Sequence, residues 1–360
     1  MRTYRSLYNE FISKENISLA IKKASVGKRS RKQVVQYLEH IEESIPEIIG
    51  YANDFYNEPH SPHVINERGR GKVRTIVVPT FREQIIHHMV VNTLRPVMMK
   101  GMYEHSYGSI PGRGIHLAKK RIEKWVRKDW KNTRYFLKMD IRHFFASIPN
   151  DKMKAYIAKY VKDEKVLEVA CRIVDVLPQG LPLGFYTSQW FANWYLQPLD
   201  HYIKEQLHAV YYVRYMDDMV VFGPNKRKLH KMARAIGEYL NTLGLELKPS
   251  WCVARFVYEK RGREYGRDLD FMGFRFFRNR TTLRRSIMLR ATRLARRYNG
   301  SVRNARRFMS YLGWFTHSDT YNVFVKWVKP FVNVRRMKLH ISNYERRRLL
   351  CGTRLATATQ

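Results

Sequence analysis

The chain is poor in acid. Its 360 residues hold 31 Asp and Glu against 67 Lys and Arg, a formal net charge of +36. A fold that basic repels itself, and a polyanionic partner relieves the repulsion, which points to nucleic acid. A generally sticky, ribosome-like basic surface is the plain alternative. Cysteine is equally scarce. The three present, Cys171, Cys252 and Cys351, are odd in number and too far apart for a zinc ribbon, so reduced thiols in a cytoplasmic setting are expected. No run of 18 apolar residues occurs, and the opening MRTYRSLYNEF has no apolar signal core, so no membrane span is implied. Fixed-period repeats, low-complexity tracts and an obvious flexible linker are also missing. The 44% hydrophobic content over this length suffices for two or three compact units with real cores.

Hydrophobic spacing sets the expected elements. Residues 1–60 read as helical, with Val34, Leu38, Ile41 and Ile45 on one stripe. The stretch VINERGRGKVRTIVVP has a basic, glycine-punctuated turn before a β-branched run and reads as a hairpin. Helix is expected again over 81–100, then a glycine-rich loop, SYGSIPGRGIH, and a cationic helix to about Lys131. YFLKMDI (135–141) is a strand ending at an acid, and VYYVRYMDDMVVFG (210–223) is two apolar strands around a very short turn. Helices over 150–176, 187–206 and 226–243, and a strand pair near 265–277, complete a mixed α+β unit. From 284 onward the chain reads as basic helices, with Arg290, Arg293 and Arg297 on one face.

The chemistry begins at Asp217 and Asp218 in YMDD. Adjacent carboxylates at a tight turn raise each other's pKa unless a cation sits between them. Magnesium suits an all-oxygen site that also takes phosphate. Asp140 ends another apolar strand. If the two strands are neighbours, Asp140 and Asp217 meet at one edge and could hold two Mg2+ ions roughly 3.5–4 Å apart, the spacing of in-line phosphoryl transfer. A polar hairpin turn is the bland reading of the DD pair.

FLKMDIRHFFASI, a glycine–serine phrase, YMDD, LGLELKP and LDFMGF, in that order from about residue 60 to 315, resemble the motifs of a reverse transcriptase. That resemblance implies an α+β right-hand polymerase fold, with fingers and palm over 61–275, a helical thumb over 276–330, a basic tail over 331–360 and a helical segment over 1–60 ahead of them. It implies DNA synthesis on an RNA template from dNTPs, with Asp140, Asp217, Asp218 and the Ile141 carbonyl as ligands of two Mg2+ ions. One ion would activate the primer 3′-hydroxyl and the other would neutralise the triphosphate and leaving pyrophosphate. Lys72 and Arg74 match the cations that clamp the triphosphate, Arg being suited to bidentate phosphate contact. Phe145, five residues after Asp140, matches the ring that excludes a 2′-hydroxyl, with the reservation that one of Phe144 and Phe145 belongs to the core. Lys248 is the nearest candidate to protonate pyrophosphate. The thumb arginines would track the phosphates of an RNA–DNA hybrid.

The palm phrase carries a finer resemblance. LPQG (177–180) and LPLG (181–184) are near-copies, but only Gly184 stands four residues before Ser188, as the family's Q-G-x-x-x-S-P requires. Gly184 is therefore taken as the site glycine and Gly180 as a turn. Leu183 replaces Gln and Gln189 replaces Pro. This form, with LKPSW and SYGSIPGRG, resembles the reverse transcriptases of diversity-generating retroelements, which are bacterial or phage-encoded. An apolar Leu cannot hydrogen-bond the nascent pair, so discrimination is expected to loosen. The resemblance implies errors at template adenines, mutagenic retrohoming, and a basic oligomeric accessory variability protein as partner. Two alternatives stay open: a retron, group II intron or phage-defence type enzyme of ordinary fidelity, or a non-catalytic RNA-binding protein with a polymerase fold.

Overall fold

A computed structural model describes residues 3–67 and 72–357; the side chains of residues 66, 67, 72 and 348 onward also lie outside the description. The basic RGRG turn of the expected hairpin therefore falls outside the described residues, as does the Lys72 side chain.

Two compact units partition the chain. One takes Met1–Gly114 with Leu137–Val253, the other Ile115–Phe136 with Ala254–Gln360. These units do not coincide with the four segments read from the sequence. The first 60 residues pack within the first unit, and the cationic helix Ile115–Lys128 belongs to the second.

A four-stranded sheet in the order β4-β5-β3-β6 carries the motif strands: β3 (Tyr135–Asp140), β4 (Tyr211–Tyr215), β5 (Asp218–Gly223) and β6 (Cys252–Arg255). β4 and β5 are an antiparallel hairpin in which Tyr215 faces Asp218, leaving Met216 and Asp217 as a two-residue connection. Their apolar runs reflect burial: Tyr212, Val213, Met219, Val220 and Val221 are wholly enclosed. The helix Lys226–Thr242 packs on β5 through a stripe of Leu229, Ala233, Ile236 and Leu240.

The helix Phe81–Lys100 is the spine of the first unit, packed against Lys14–Ala24 and Tyr186–Tyr195. Its start is fixed by a capping box between Thr80 and Glu83. The fully buried Glu83 carboxylate also accepts from the Glu58 amide at 3.0 Å and meets His60 at 2.8 Å. His87 and His88 lie along this helix, one ring 4.5 Å from Phe185 and the other stacked 4.1 Å from Tyr186. Just ahead, β1 (Pro62–Glu67) and β2 (Lys72–Val77) form the expected antiparallel hairpin.

Several expected helices are broken. The Val34–Ile45 stripe is split at His40 into Lys32–Glu39 and Ile41–Asn53. The 150–176 stretch is interrupted at Asp163, whose carboxylate caps the helix Glu164–Val174 and also accepts from the Leu7 amide at 2.8 Å.

In the second unit, LDFMGF is a hairpin, Leu269–Phe271 against Phe274–Phe276, turning at Met272 and Gly273 with φ of 51° and 86°. Two residues of positive φ are what such a tight hairpin demands. The basic helix Arg285–Arg296 buries Ala291 and Ala295 and leaves Arg293 and Arg297 exposed; Arg290 is half-buried. Arg296 sits over Trp327 and Phe331, its guanidinium 4.8 and 5.7 Å from the two rings.

Candidate active site

β3 ends at Asp140 and β5 begins at Asp218, and the two strands are neighbours in the sheet. The carboxylates of Asp140, Asp217 and Asp218 therefore converge. Burial, then the charges of Asp218 and Asp140, push the Asp217 carboxyl up to about 6. LGLELKP lies alongside: Arg142 donates its amide to the Glu246 carbonyl at 2.8 Å, and Lys248 donates its amide to the Asp140 carbonyl at 2.8 Å. The Lys248 Nζ then reaches Asp140 Oδ2 at 2.9 Å. That bond, with the charges of all three acids, raises the Lys248 pKa. A raised pKa makes an ammonium a weaker proton donor, so where it stands Lys248 is a counter-ion of Asp140.

Among the described residues no three His, Cys, Asp or Glu side chains are gathered tightly enough to cage an ion as they stand. The donor chemistry nevertheless fits a hard divalent cation. The side-chain donors are carboxylate oxygens only, and burial followed by their mutual repulsion raises the Asp217 pKa. Ile141, whose carbonyl is the further expected ligand, is buried next to Asp140.

The turn that presents Asp217 is strained. Met216 has φ +56°, a left-handed conformation that costs a non-glycine residue about 1–3 kcal/mol. Below it lies Gly108, where an added Cβ would come within 2.5 Å of Met216 Cγ. Arg214 Nη1 donates to the Met216 carbonyl at 3.2 Å. This guanidinium is fully buried and forks onto Asp200 at 2.8 and 2.5 Å, and Tyr212 donates to the same carboxylate at 2.8 Å. Arg214 is the lone charge in the apolar run VYYVRYM, and a buried charge needs a buried partner.

Of the nucleotide-pocket candidates, Phe145, Leu183 and Gly184 meet around residues 180–184. Leu181 donates its amide to the Phe145 carbonyl at 2.7 Å, and the Leu183 carbonyl accepts from the Val77 amide at 2.7 Å. The stretch thus laces the short helix Phe144–Ser147 to the end of β2. Phe144 is the core ring of its pair and Phe145 is half-buried. Both glycines are required by contact. A Cβ at Gly184 (φ +115°) would lie 2.1 Å from the Val77 oxygen, and one at Gly180 (φ +84°) 2.6 Å from the Ala146 backbone. The Gly180 amide also donates to Asn150 Oδ1 at 2.9 Å. Gly180 is therefore more than the turn it was taken for, because it lets the loop lie against the segment bearing Phe145. Leu183 is half-buried, and Gln189 is exposed on the helix Tyr186–Tyr195, where Ser188 is buried. Arg74 lies exposed on β2, three residues before Val77. Arg290, Arg293 and Arg297 lie in the other compact unit.

Residues 65–280 match the family described as reverse transcriptase (RNA-dependent DNA polymerase). That is more than half of the chain, and the chain belongs to this family. Its α+β right-hand polymerase fold accords with the mixture of helices and antiparallel pairing seen here. The group II intron-encoded protein LtrA of Lactococcus lactis subsp. cremoris is 26% identical over 234 residues, covering 62% of this chain and 37% of that protein. Protein YkfC of Escherichia coli (strain K12) is 21% identical over 151 residues, 39% of each. Apo telomerase from Candida tropicalis has a TM-score of 0.48 at 14% identity, with 79% of this chain and 62% of that one covered. The chain spans under two-fifths of the length of these curated relatives. Among the described residues no helix is long and apolar enough to cross a membrane.

Proposed function

We propose that this chain is an RNA-directed DNA polymerase that extends a primer along a template RNA from dNTPs. The observation that carries the reading is the convergence of Asp140, Asp217 and Asp218 at one sheet edge, where burial and then neighbouring like charges raise the Asp217 pKa. Asp140 and Asp217 would hold two Mg2+ ions, with Asp218 and the Ile141 carbonyl as further ligands. When bound, such ions ease ionisation of the primer 3′-hydroxyl and offset the charge on the triphosphate. Arg74, with Lys72, would hold the triphosphate, Phe145 would exclude a 2′-hydroxyl, and Leu183 and Gly184 would face the nascent pair. Lys248 orients Asp140 through their shared hydrogen bond. Arg290, Arg293 and Arg297 would contact hybrid phosphates. Replacing Asp217 with Asn should abolish cDNA synthesis while leaving RNA binding in place; synthesis that survives would sink this site, and a parent chain that binds RNA without making cDNA would identify a non-catalytic RNA-binding protein.

The finer reading is the adenine-mutagenic enzyme of a diversity-generating retroelement, working with a basic oligomeric accessory protein. It is supported by Leu183 and Gln189 in place of Gln and Pro. A group II intron-type enzyme of ordinary fidelity is the second reading, and the similarity to a group II intron-encoded protein favours it. Sequencing cDNA made from a defined RNA separates them. Errors concentrated opposite adenine, reduced by Leu183→Gln, are expected for the first; an even, low error spectrum unaffected by that change would establish the second.

A further inference from the structure

We propose that Arg214 is a positioning residue: with Asn193 it holds Met216 left-handed and so fixes the direction of the Asp217 carboxylate. The inference rests on the polymerase reading above. The carbonyl of Met216 belongs to the planar peptide that joins it to Asp217. A hydrogen bond to that oxygen sets the orientation of the plane, and with it the Cα–Cβ direction of Asp217. Arg214 Nη1 supplies this bond at 3.2 Å and also donates to Asn193 Oδ1 at 2.9 Å.

Each participant is itself immobilised. Nε and Nη2 of Arg214 are taken by Asp200 at 2.8 and 2.5 Å. Its backbone is clamped to a neighbouring loop, its amide donating to the His105 carbonyl at 3.0 Å and its carbonyl accepting from the Tyr107 amide at 2.9 Å. Asn193 donates to the Gly108 carbonyl at 2.8 Å and touches Met216 Sδ at 3.3 Å. Gly108 in turn underlies the turn, since an added Cβ would stand 2.7 Å from the Met216 amide nitrogen. Asn193, Asp200 and Arg214 are wholly buried. An ion pair serving only to join the 197–201 helix to β4 would be complete with Asp200. Here the remaining guanidinium nitrogen is aimed at the turn.

Arg214→Lys keeps a charge for Asp200 and loses the fork that serves both Asp200 and Met216. Asn193→Ala removes the second support without touching the ion pair. Both variants should lower kcat about tenfold or more, with primer–template affinity within about twofold of the parent. Both should also weaken Mn2+ binding, read directly by electron paramagnetic resonance. Glycine adopts positive φ freely, so in a Met216→Gly background the same two changes should have smaller effects on kcat and on Mn2+ affinity. Unchanged metal affinity, or effects that simply add to those of Met216→Gly, would reduce Arg214 to a structural ion pair and overturn the proposal. If Arg214→Lys does not fold, the Asn193→Ala cycle decides alone. Asp217→Asn separates the two failures. Synthesis surviving in that variant sinks the polymerase site itself, whereas its loss beside unaffected Arg214 and Asn193 variants sinks only the positioning role.

Discussion

Asp200 and Asp217 stand at the two ends of one guanidinium's reach, and their surroundings are opposite. Asp200 is wholly buried, and both its oxygens are taken by Arg214, with Tyr212 added. Asp217 is less enclosed and has two other acids as neighbours; burial, then those two charges, push its carboxyl up to about 6. A matched acid in a core holds elements together. An acid crowded by its own kind is costly, and a fold keeps it where charge must be handled. The two aspartates illustrate how burial alone fails to separate structural from chemical carboxylates, while the sign of the neighbours succeeds.

The contrast breaks most sharply under amide substitution. Asp217→Asn should cut primer extension by roughly 10³-fold or more, about 4 kcal/mol of transition-state stabilisation. The same change should leave the thermal unfolding midpoint unchanged or higher, because a like charge has gone. Asp200→Asn should show the reverse emphasis: a stability loss of about 3–5 kcal/mol in chemical denaturation, from an uncompensated Arg214. A loss below about 1 kcal/mol would mean that the buried pair is not what holds this region. Gly184→Ala tests the pocket. Its Cβ must displace the Val77 carbonyl, so kcat/KM for dNTP should fall about tenfold or more. The smallest effect concerns a buried group with neither a charge nor a partner. Burial, then His88 and His60, lower the His87 pKa to about 3, and neither ring nitrogen has a hydrogen bond. The unfolded chain binds the proton near 6.5. Stability from a neutral His87 is therefore complete above that pH and declines as pH falls toward 3. His87→Leu should flatten the decline between pH 7 and 5 in thermal melts and raise stability at pH 7 by about 1 kcal/mol.

The strand–turn–strand frame of YMDD and the strand-terminal Asp140 were legible because apolar runs ending in acids are a local pattern. The hairpin over 62–77 and the helix over 81–100 were legible for the same reason. What escaped was set by partners distant in the chain. The break at His40 interrupts an uninterrupted stripe, and the cap at Asp163 also serves the Leu7 amide. The role of Gly180 depends on Ala146, and the pairing of Lys248 depends on Asp140, 108 residues away. Spacing relative to Ser188 singled out Gly184 and could not reveal that its neighbour phrase is pressed against backbone too. The signal for the Arg214–Asp200 pair was present: one cation in the middle of VYYVRYM has no solvent to face.

The lacing of Leu183 to Val77 runs through main-chain atoms alone. The joint between the β1–β2 hairpin and the 180–184 loop is thus blind to which side chain occupies position 183. That side chain can be exchanged without unfastening the strand that carries Arg74.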